Sequence, residues 1–169
     1  MAARYLSCAE TAKLVRGALG RAFPGHRFSV RSHVYAGGAS INVKWANGPT
    51  QSTVEAVAGQ FAGGRFDGMI DLAYSVQHYL TAGGTVRLAY SPGTTSGRGT
   101  HEPLVDEPPA EAAELVRFGA DHVFCTRDLS PWITRRAEAA ARAEGWENYE
   151  LDRRAREIAG QMAFAPETM

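Results

Sequence analysis

Two neighbouring segments, residues 27–35 and 40–45, alternate between polar and apolar side chains and are separated by a glycine-rich link. Successive side chains of a β-strand point to opposite faces, so the alternation predicts two strands that each bury one face. The link contains Gly37 and Gly38, which favours a tight turn and therefore a β-hairpin. The predicted buried face consists of Phe28, Val30, Val34, Ile41, Val43 and Trp45.

Two helices are predicted beside this hairpin, because each begins with a capping-box pattern. Residues 7–10 have the S-x-x-E spacing in which the serine and the glutamate satisfy helix-terminal amides, so the first helix should begin at about Cys8. The Pro-Gly pair at 24–25 should end it. The same spacing at residues 52–55 predicts a second helix that ends at the glycine pair 63–64.

The next segments predict two more strands and a loop. Residues 66–72 and 85–90 are strand-like, and the second places Val86, Leu88 and Tyr90 on one face. The first ninety residues therefore have the order α-β-β-α-β-β. Residues 91–109 are rich in Pro, Gly, Ser and Thr, which predicts a long mobile loop.

The remainder of the chain predicts a short helix over residues 110–118, a strand over 122–126 and two C-terminal helices, the first capped by Ser130. The predicted fold class is α+β, with an antiparallel sheet, helices packed on one face and a C-terminal helical extension. Residues 1–90 would form the core and residues 110–169 the rest of the same domain.

The composition is that of one globular domain. The chain has 169 residues, of which 44% are hydrophobic and 21% charged, so it has enough apolar surface to form a core. No apolar run is long enough for a membrane span or a secretion signal. The two cysteines are far apart in the sequence, which argues against a disulfide framework. We therefore expect a cytoplasmic protein.

The net charge is zero, but the charge is unevenly distributed. Residues 1–50 contain seven Lys and Arg against one acidic residue, whereas residues 101–169 contain eight Arg against fourteen acidic residues. Two interpretations remain open. The acidic part either pairs with the basic part inside the fold, or the basic part presents a face to an anionic partner.

The polar side of the predicted hairpin is the best candidate for a binding face. Cations interleaved with an aromatic ring and an amide can hold phosphates, stack on a base or contact an acidic protein surface. The alternative is an ordinary solvent-facing side of a sheet. The candidate residues are Arg27, Arg31, His33, Tyr35, Asn42 and Lys44.

No catalytic, metal or cofactor site is predicted. His122 and Cys125 are three residues apart on a predicted strand, so they point to opposite faces and do not form half of a zinc site. Cys8 has no histidine partner in the sequence that would activate it. Acid–base pairs drawn from Asp67, Asp71, His78, His101 and Glu102 compete with a simpler interpretation as turn and surface residues.

Residues 28–49 and 66–71 resemble the large polyvalent protein associated domain 29 family. The resemblance covers about residues 3–75, with a later echo at 118–130, and Asn47 stands where the family usually has an acidic residue. The matching residues are Tyr35, Gly37, Gly38, Ser40, Ile41, Val43, Trp45, Gly48, Pro49, Phe66, Asp67, Gly68 and Asp71.

The resemblance implies an accessory protein of phages or conjugative elements that conditions the host cell, and it carries over no catalytic residues. It implies inhibition of a nucleic-acid-based defence, as anti-CRISPR or anti-restriction proteins do, by non-catalytic binding. The expected partner is a host defence protein or its complex with nucleic acid, with direct nucleic-acid contact as one form. The alternatives are a small hydrolase or transferase acting on nucleic acid or nucleotides, and a structural or dimerisation module.

Overall fold

The computed structural model describes residues 2–95 and 97–164, and the α+β class is confirmed. The helices are α1 (Cys8–Ala22), α2 (Gln51–Ala58, continued by a 3-10 turn at Gly59–Phe61), α3 (Pro131–Ala143) and α4 (Asn148–Gln161). The strands are β1 (Arg4–Leu6), β2 (Ser29–Tyr35), β3 (Gly38–Ala46), β4 (Gly64–Asp67), β5 (Leu72–Ser75), β6 (Gln77–Thr81), β7 (Val86–Ser91), β8 (Leu104–Val105), β9 (Ala113–Phe118) and β10 (His122–Asp128). Within the described ranges, no helix has the length and apolarity needed to cross a membrane.

A three-stranded sheet has β3 at its centre, with β2 on one side and β10 on the other. The β2–β3 pair is the predicted antiparallel hairpin and places Val30 opposite Val43. β10 pairs parallel to β3, with Cys125 beside Val43. The predicted antiparallel pairing is therefore present between β2 and β3, and β10 makes the sheet a mixed one. A parallel pair needs a long crossover, and here the chain passes through β4 to β9 between β3 and β10.

A five-stranded sheet has the order β1-β9-β6-β7-β8, and β4 and β5 form a separate hairpin. β1 pairs parallel to β9, with Leu6 beside Phe118, and the other neighbours are antiparallel. Leu6, Val116 and Phe118 belong to the same hydrophobic core as Ile41 and Val43. The two larger sheets therefore share one core.

α1 packs its apolar stripe into this core. The predicted capping box is present: Ser7 N donates to Glu10 Oε2 at 2.8 Å, and Glu10 N donates to Ser7 Oγ at 3.3 Å. Val15 and Leu19 are fully buried, and burying each such side chain contributes about 1.5–3 kcal/mol. The helix contacts β2, β3 and α2, so it covers the inner face of the three-stranded sheet.

The hairpin and the second helix differ from the sequence predictions at three positions. Val34 is 73% exposed near the hairpin turn, although its cross-strand partner Ala39 belongs to the core. Ser40 lies on the outward side as expected but is buried rather than exposed. The predicted capping box at residues 52–55 does not form, since α2 begins at Gln51 and the Glu55 carboxylate accepts from Gln51 Nε2 at 2.8 Å.

Three predictions for the later segments are wrong. Residues 113–118 form β9 rather than a helix, because Val116 and Phe118 are buried between β1 and β6 and this packing overrides the helical propensity of the Ala-Glu run. Residues 66–72 are a hairpin, with a turn between β4 and β5, rather than one strand. Tyr90 is 40% exposed, because a β-bulge shifts the β6–β7 register and reverses which face is buried.

α3 and α4 form a helical hairpin with a small core of its own. Its buried residues include Ile133, Ala137, Leu151 and Ala155, and none of them belongs to the main core. α3 follows β10 directly, and its predicted N-cap residue Ser130 is confirmed in that position. The C-terminal helical extension predicted from the sequence is therefore present.

Arg127 on β10 connects this helical hairpin to the main domain. Its guanidinium donates to the carbonyl oxygens of Asn47 at 2.6 Å and Gly48 at 3.0 Å, which follow β3. It also donates to Met162 and, at 3.3 Å, to Gly160, which lie at the end of α4. The last carbonyls of a helix have no partner within the helix. Arg127 provides hydrogen bonds to those at the end of α4 and so fixes α4 to the sheet.

The segment 91–109 carries specific contacts that its composition does not predict. The buried Asp67 carboxylate accepts hydrogen bonds from Thr94 Oγ1, from Thr100 N at 2.8 Å and from Met69 N at 2.9 Å. These bonds, that of Thr94 above all, hold the pKa of Asp67 well below its usual range. Residues 104–105 add β8 to the edge of the five-stranded sheet. Mobility of this segment stays a prediction.

Trypsin provides a test, because Arg98 is the only Lys or Arg between Arg87 and Arg117. If the segment is mobile, native protein should be cut at Arg98 first. Asp67→Asn should accelerate this cleavage about tenfold or more, because it replaces an ionised acceptor that holds Thr94 and Thr100.

Asp71→Asn is the matched control, since Asp71 is exposed in the same turn, and it should leave the cleavage rate unchanged. First cleavage elsewhere in the native protein would contradict the loop assignment. Equal rates for Asp67→Asn and the wild type would contradict the role of Asp67.

Candidate functional site

The face of the three-stranded sheet that points away from the core is open to solvent. We refer to it as the outer face. Eight of its side chains are exposed, which shows that no described element covers it. Its residues are Ser29, Arg31, His33 and Tyr35 on β2, Gly38, Ser40, Asn42 and Lys44 on β3, and His122, Phe124 and Thr126 on β10.

The strand register arranges these side chains in rows across the sheet. Residues paired across neighbouring strands have side chains on the same face about 5 Å apart. Three full rows follow from the two registers: His33–Ser40–His122, Arg31–Asn42–Phe124 and Ser29–Lys44–Thr126.

Five of the six predicted binding residues lie on this face: Arg31, His33, Tyr35, Asn42 and Lys44. Arg27 is exposed but lies before the first residue of β2, so it is not part of the paired rows. The prediction of these residues requires only that the hairpin buries one face. Over residues 29–31 and 41–45 it buries the expected face.

A shallow cavity lies among the cations of the outer face. It has a volume of about 280 Å³ and is lined by Ser29, Arg31, Asn42 and Lys44. The residues offer two cationic groups, a hydroxyl and an amide, which are hydrogen-bond donors suited to phosphate or carboxylate oxygens. The cavity therefore suits an anionic group.

Two pairs of aromatic rings border the central strand. The His33 and Tyr35 rings on β2 have centroids 5.7 Å apart, and the His122 and Phe124 rings on β10 have the same separation. The Tyr35 ring lies over Gly38, where an added Cβ would approach it to 3.0 Å. Ser40, which lies between His33 and His122 in its row, is buried. The outer face is therefore a trough with aromatic sides.

The β10 residues of this trough were not identified as site residues from the sequence. His122 was considered only as a zinc ligand, and Phe124 was given no role. The sequence predicted a strand over residues 122–126 but gave no outward binding face for it. Their position beside Ser40 and Asn42 follows from the parallel pairing of β10 with β3, which local sequence does not specify.

The cations of the outer face are separated from the acidic part of the chain. Among the described residues, neither Arg31 nor Lys44 forms an ion pair, whereas Arg4 pairs with Glu114. Two carboxylates lie at the ends of the trough: Asp121, which accepts from Ala39 N at 2.9 Å, and Asp128. Pairing inside the fold therefore accounts for only part of the charge asymmetry.

Both cysteines are buried and separated from the outer face. Cys8 Sγ donates to the Ser40 carbonyl at 3.4 Å, and burial raises the pKa of this thiol. Burial also raises the pKa of Cys125 to about 11. His122 is exposed on the opposite side of β10 from Cys125, as the three-residue spacing predicts.

The residues considered for acid–base chemistry do not form one cluster. Asp67 is occupied by the hydrogen bonds described above, and Tyr74 Oη lies 2.6 Å from His101 Nδ1. His78 is instead buried on β6 against the Phe118 ring, with 4.9 Å between the centroids. Its Nδ1 has no hydrogen-bond partner among the residues that the structure describes. Burial, with a smaller effect of the Arg65 charge, lowers the pKa of His78 to about 4.

The fold and the outer face define a small α+β protein with an open sheet surface. The chain belongs to the family of the large polyvalent protein associated domain 29, whose model matches residues 6–130. It is therefore a protein associated with phages or other mobile elements. The match ends at Ser130, directly before α3, so the α3–α4 hairpin lies outside it. No curated protein and no solved structure matches the chain.

His78 predicts a loss of stability in mild acid. The unfolded chain binds a proton at His78 near pH 6.5, but the folded protein does so only near pH 4, so stability falls as the pH drops through this window. The loss should reach about 2 kcal/mol between about pH 7.5 and about pH 5. Urea unfolding at both pH values measures it.

His78→Leu should remove this part of the pH dependence. His33→Gln, which changes an exposed histidine of the outer face, is the matched control and should retain it. An unchanged pH dependence in His78→Leu would show that the buried imidazole is not its source.

Proposed function

We propose that this protein acts by non-catalytic binding, and that its outer face holds an anionic partner. The binding takes place in the host cytoplasm and inhibits a nucleic-acid-based defence against the mobile element. One observation carries the proposal: Arg31 and Lys44 share a solvent-facing cavity and have no carboxylate partner among the described residues.

Folding does not explain why these cations are placed together. Two like charges in neighbouring rows repel each other, and exposed cations on a sheet add little stability. Phe124 and Tyr35 are 53% and 43% exposed on the same surface, although burial would be favourable for both rings. A partner that neutralises the charges and covers the rings accounts for both features.

The family gives the biological setting. A protein that accompanies phages or mobile elements acts in a cell whose defences recognise foreign nucleic acid, and these defences expose nucleic acid and acidic surfaces to an inhibitor. A binder of this kind works in proportion to its concentration. It therefore saturates its target at a fixed ratio instead of turning over.

The double variant Arg31→Glu, Lys44→Glu tests the proposal. Wild-type protein, expressed in a host whose defence restricts a phage, should restore plating of that phage, and the double variant should not. The free energy of unfolding of the variant should lie within about 1 kcal/mol of the wild-type value, as is usual for surface substitutions. Loss of protection would therefore reflect lost binding.

Lys13→Glu, Arg135→Glu is the matched control, because it makes the same change in net charge at exposed positions of α1 and α3. It should protect as well as the wild type. If the Arg31 and Lys44 variant also protects fully, the outer face is not the inhibitory surface. Protection by protein far below the concentration of its target would indicate turnover and contradict non-catalytic binding.

A further inference from the structure

We propose that the anionic partner of the outer face is single-stranded nucleic acid, which lies along the trough with bases stacked on the two ring pairs and phosphates at Arg31 and Lys44. This inference rests on the proposed function and specifies its partner. It is carried by the arrangement of rings, amide and cations across the three strands.

The trough has a low floor and raised sides. Gly38 and Ser40 form the floor on β3, and the ring pairs stand on the strands at either side. Neighbouring strands are about 4.8 Å apart, so the two ring pairs are separated by roughly 10 Å. Within each pair the ring planes are tilted by 30–31° and the centroids are 5.7 Å apart, so each side of the trough presents two neighbouring aromatic rings.

Such surfaces select unpaired bases. Every base has a π-face that stacks on an aromatic side chain, and this face is available in a single strand but covered by neighbours in a duplex. Phe124 carries no hydrogen-bonding group and is 53% exposed, so stacking is the main interaction it offers. An acidic protein surface would contact the cations but would leave this ring without a suitable partner.

The cations lie within one nucleotide of the rings. Arg31, Asn42 and Phe124 form one row across the sheet, and Lys44 is in the next row along β3. A base stacked on Phe124 therefore has its phosphate within reach of the cavity, and the Asn42 amide can donate to and accept from the edge of a base. The carboxylates Asp121 and Asp128 lie at the ends, so the middle of the trough remains favourable for phosphate.

Fluorescence anisotropy tests the inference with 5′-fluorescein-labelled probes of about 12 nucleotides, a length within the usual site size of such surfaces. Mixed-sequence RNA and DNA single strands should bind. The ratio of their affinities shows whether the protein distinguishes ribose from deoxyribose. A duplex of the same sequence and an abasic strand of the same length should bind at least about tenfold more weakly, because neither offers a free base to the rings. An abasic strand keeps the phosphates, so it separates stacking from charge.

Substitutions at Phe124 separate stacking from general apolar contact. Phe124→Leu should weaken single-strand binding at least about tenfold, whereas Phe124→Trp should retain it. Phe66→Ala is the matched control, since Phe66 is 50% exposed on β4, and it should have no effect.

With two phosphate contacts, wild-type affinity should fall about sevenfold between about 50 and 200 mM salt. Lys44→Gln should halve the slope of log affinity against log salt concentration.

Each outcome decides a separate claim. Equal binding of the duplex, or an unchanged affinity of Phe124→Leu, overturns the stacking inference. If no oligonucleotide binds while the Arg31 and Lys44 double variant still loses protection, the inference is wrong and the proposed function stands. If the oligonucleotides behave as expected while the double variant protects fully, the ligand is correctly assigned and the inhibitory function is wrong.

Discussion

The parallel pairing of β10 with β3 is the constraint on which the rest of the structure depends. It joins segments that are distant in the chain, so it forms only at the cost of closing a long loop. Burial of Val43 beside Cys125 on the inner side offsets that cost. The same pairing places His122 and Phe124 beside Ser40 and Asn42, so the interaction that completes the core also completes the outer face.

The end of this pairing also fixes the position of the C-terminal helices. Asn47 N donates to the Asp128 carbonyl at 2.7 Å, and the Asn47 amide forms two hydrogen bonds with Ser130. Arg127, one residue earlier than Asp128, then caps the end of α4. Desolvation lowers the pKa of this guanidinium, which is the cost of surrounding it with carbonyl groups and the Phe164 ring. The helical hairpin thus has its own core but takes its orientation from β10.

The sequence predicted what depends on local pattern. Alternation identified β2 and β3 and the five cations and polar side chains that project from them, and the S-x-x-E spacing identified the start of α1. It failed where tertiary contacts decide: residues 113–118 have helical composition but are drawn into a sheet by β1 and β6. Phe124 belongs to the trough only because of a partner strand far away in sequence, so no local pattern could have assigned it there. The contacts of Asp67 likewise depend on a loop whose composition indicates only flexibility.

The two sides of the three-stranded sheet are under different physical demands. On the inner side, Ile41 and Val43 are fully buried, so their size and shape are set by close packing and a change of one methylene group is felt throughout the core. On the outer side, Arg31, Lys44 and Phe124 touch solvent, and the fold is compatible with many other residues there. The requirements of folding therefore explain the inner residues but not the outer ones. The proposed ligand would explain cations next to solvent-exposed rings, because single-stranded nucleic acid has both negative charge and flat unsaturated groups.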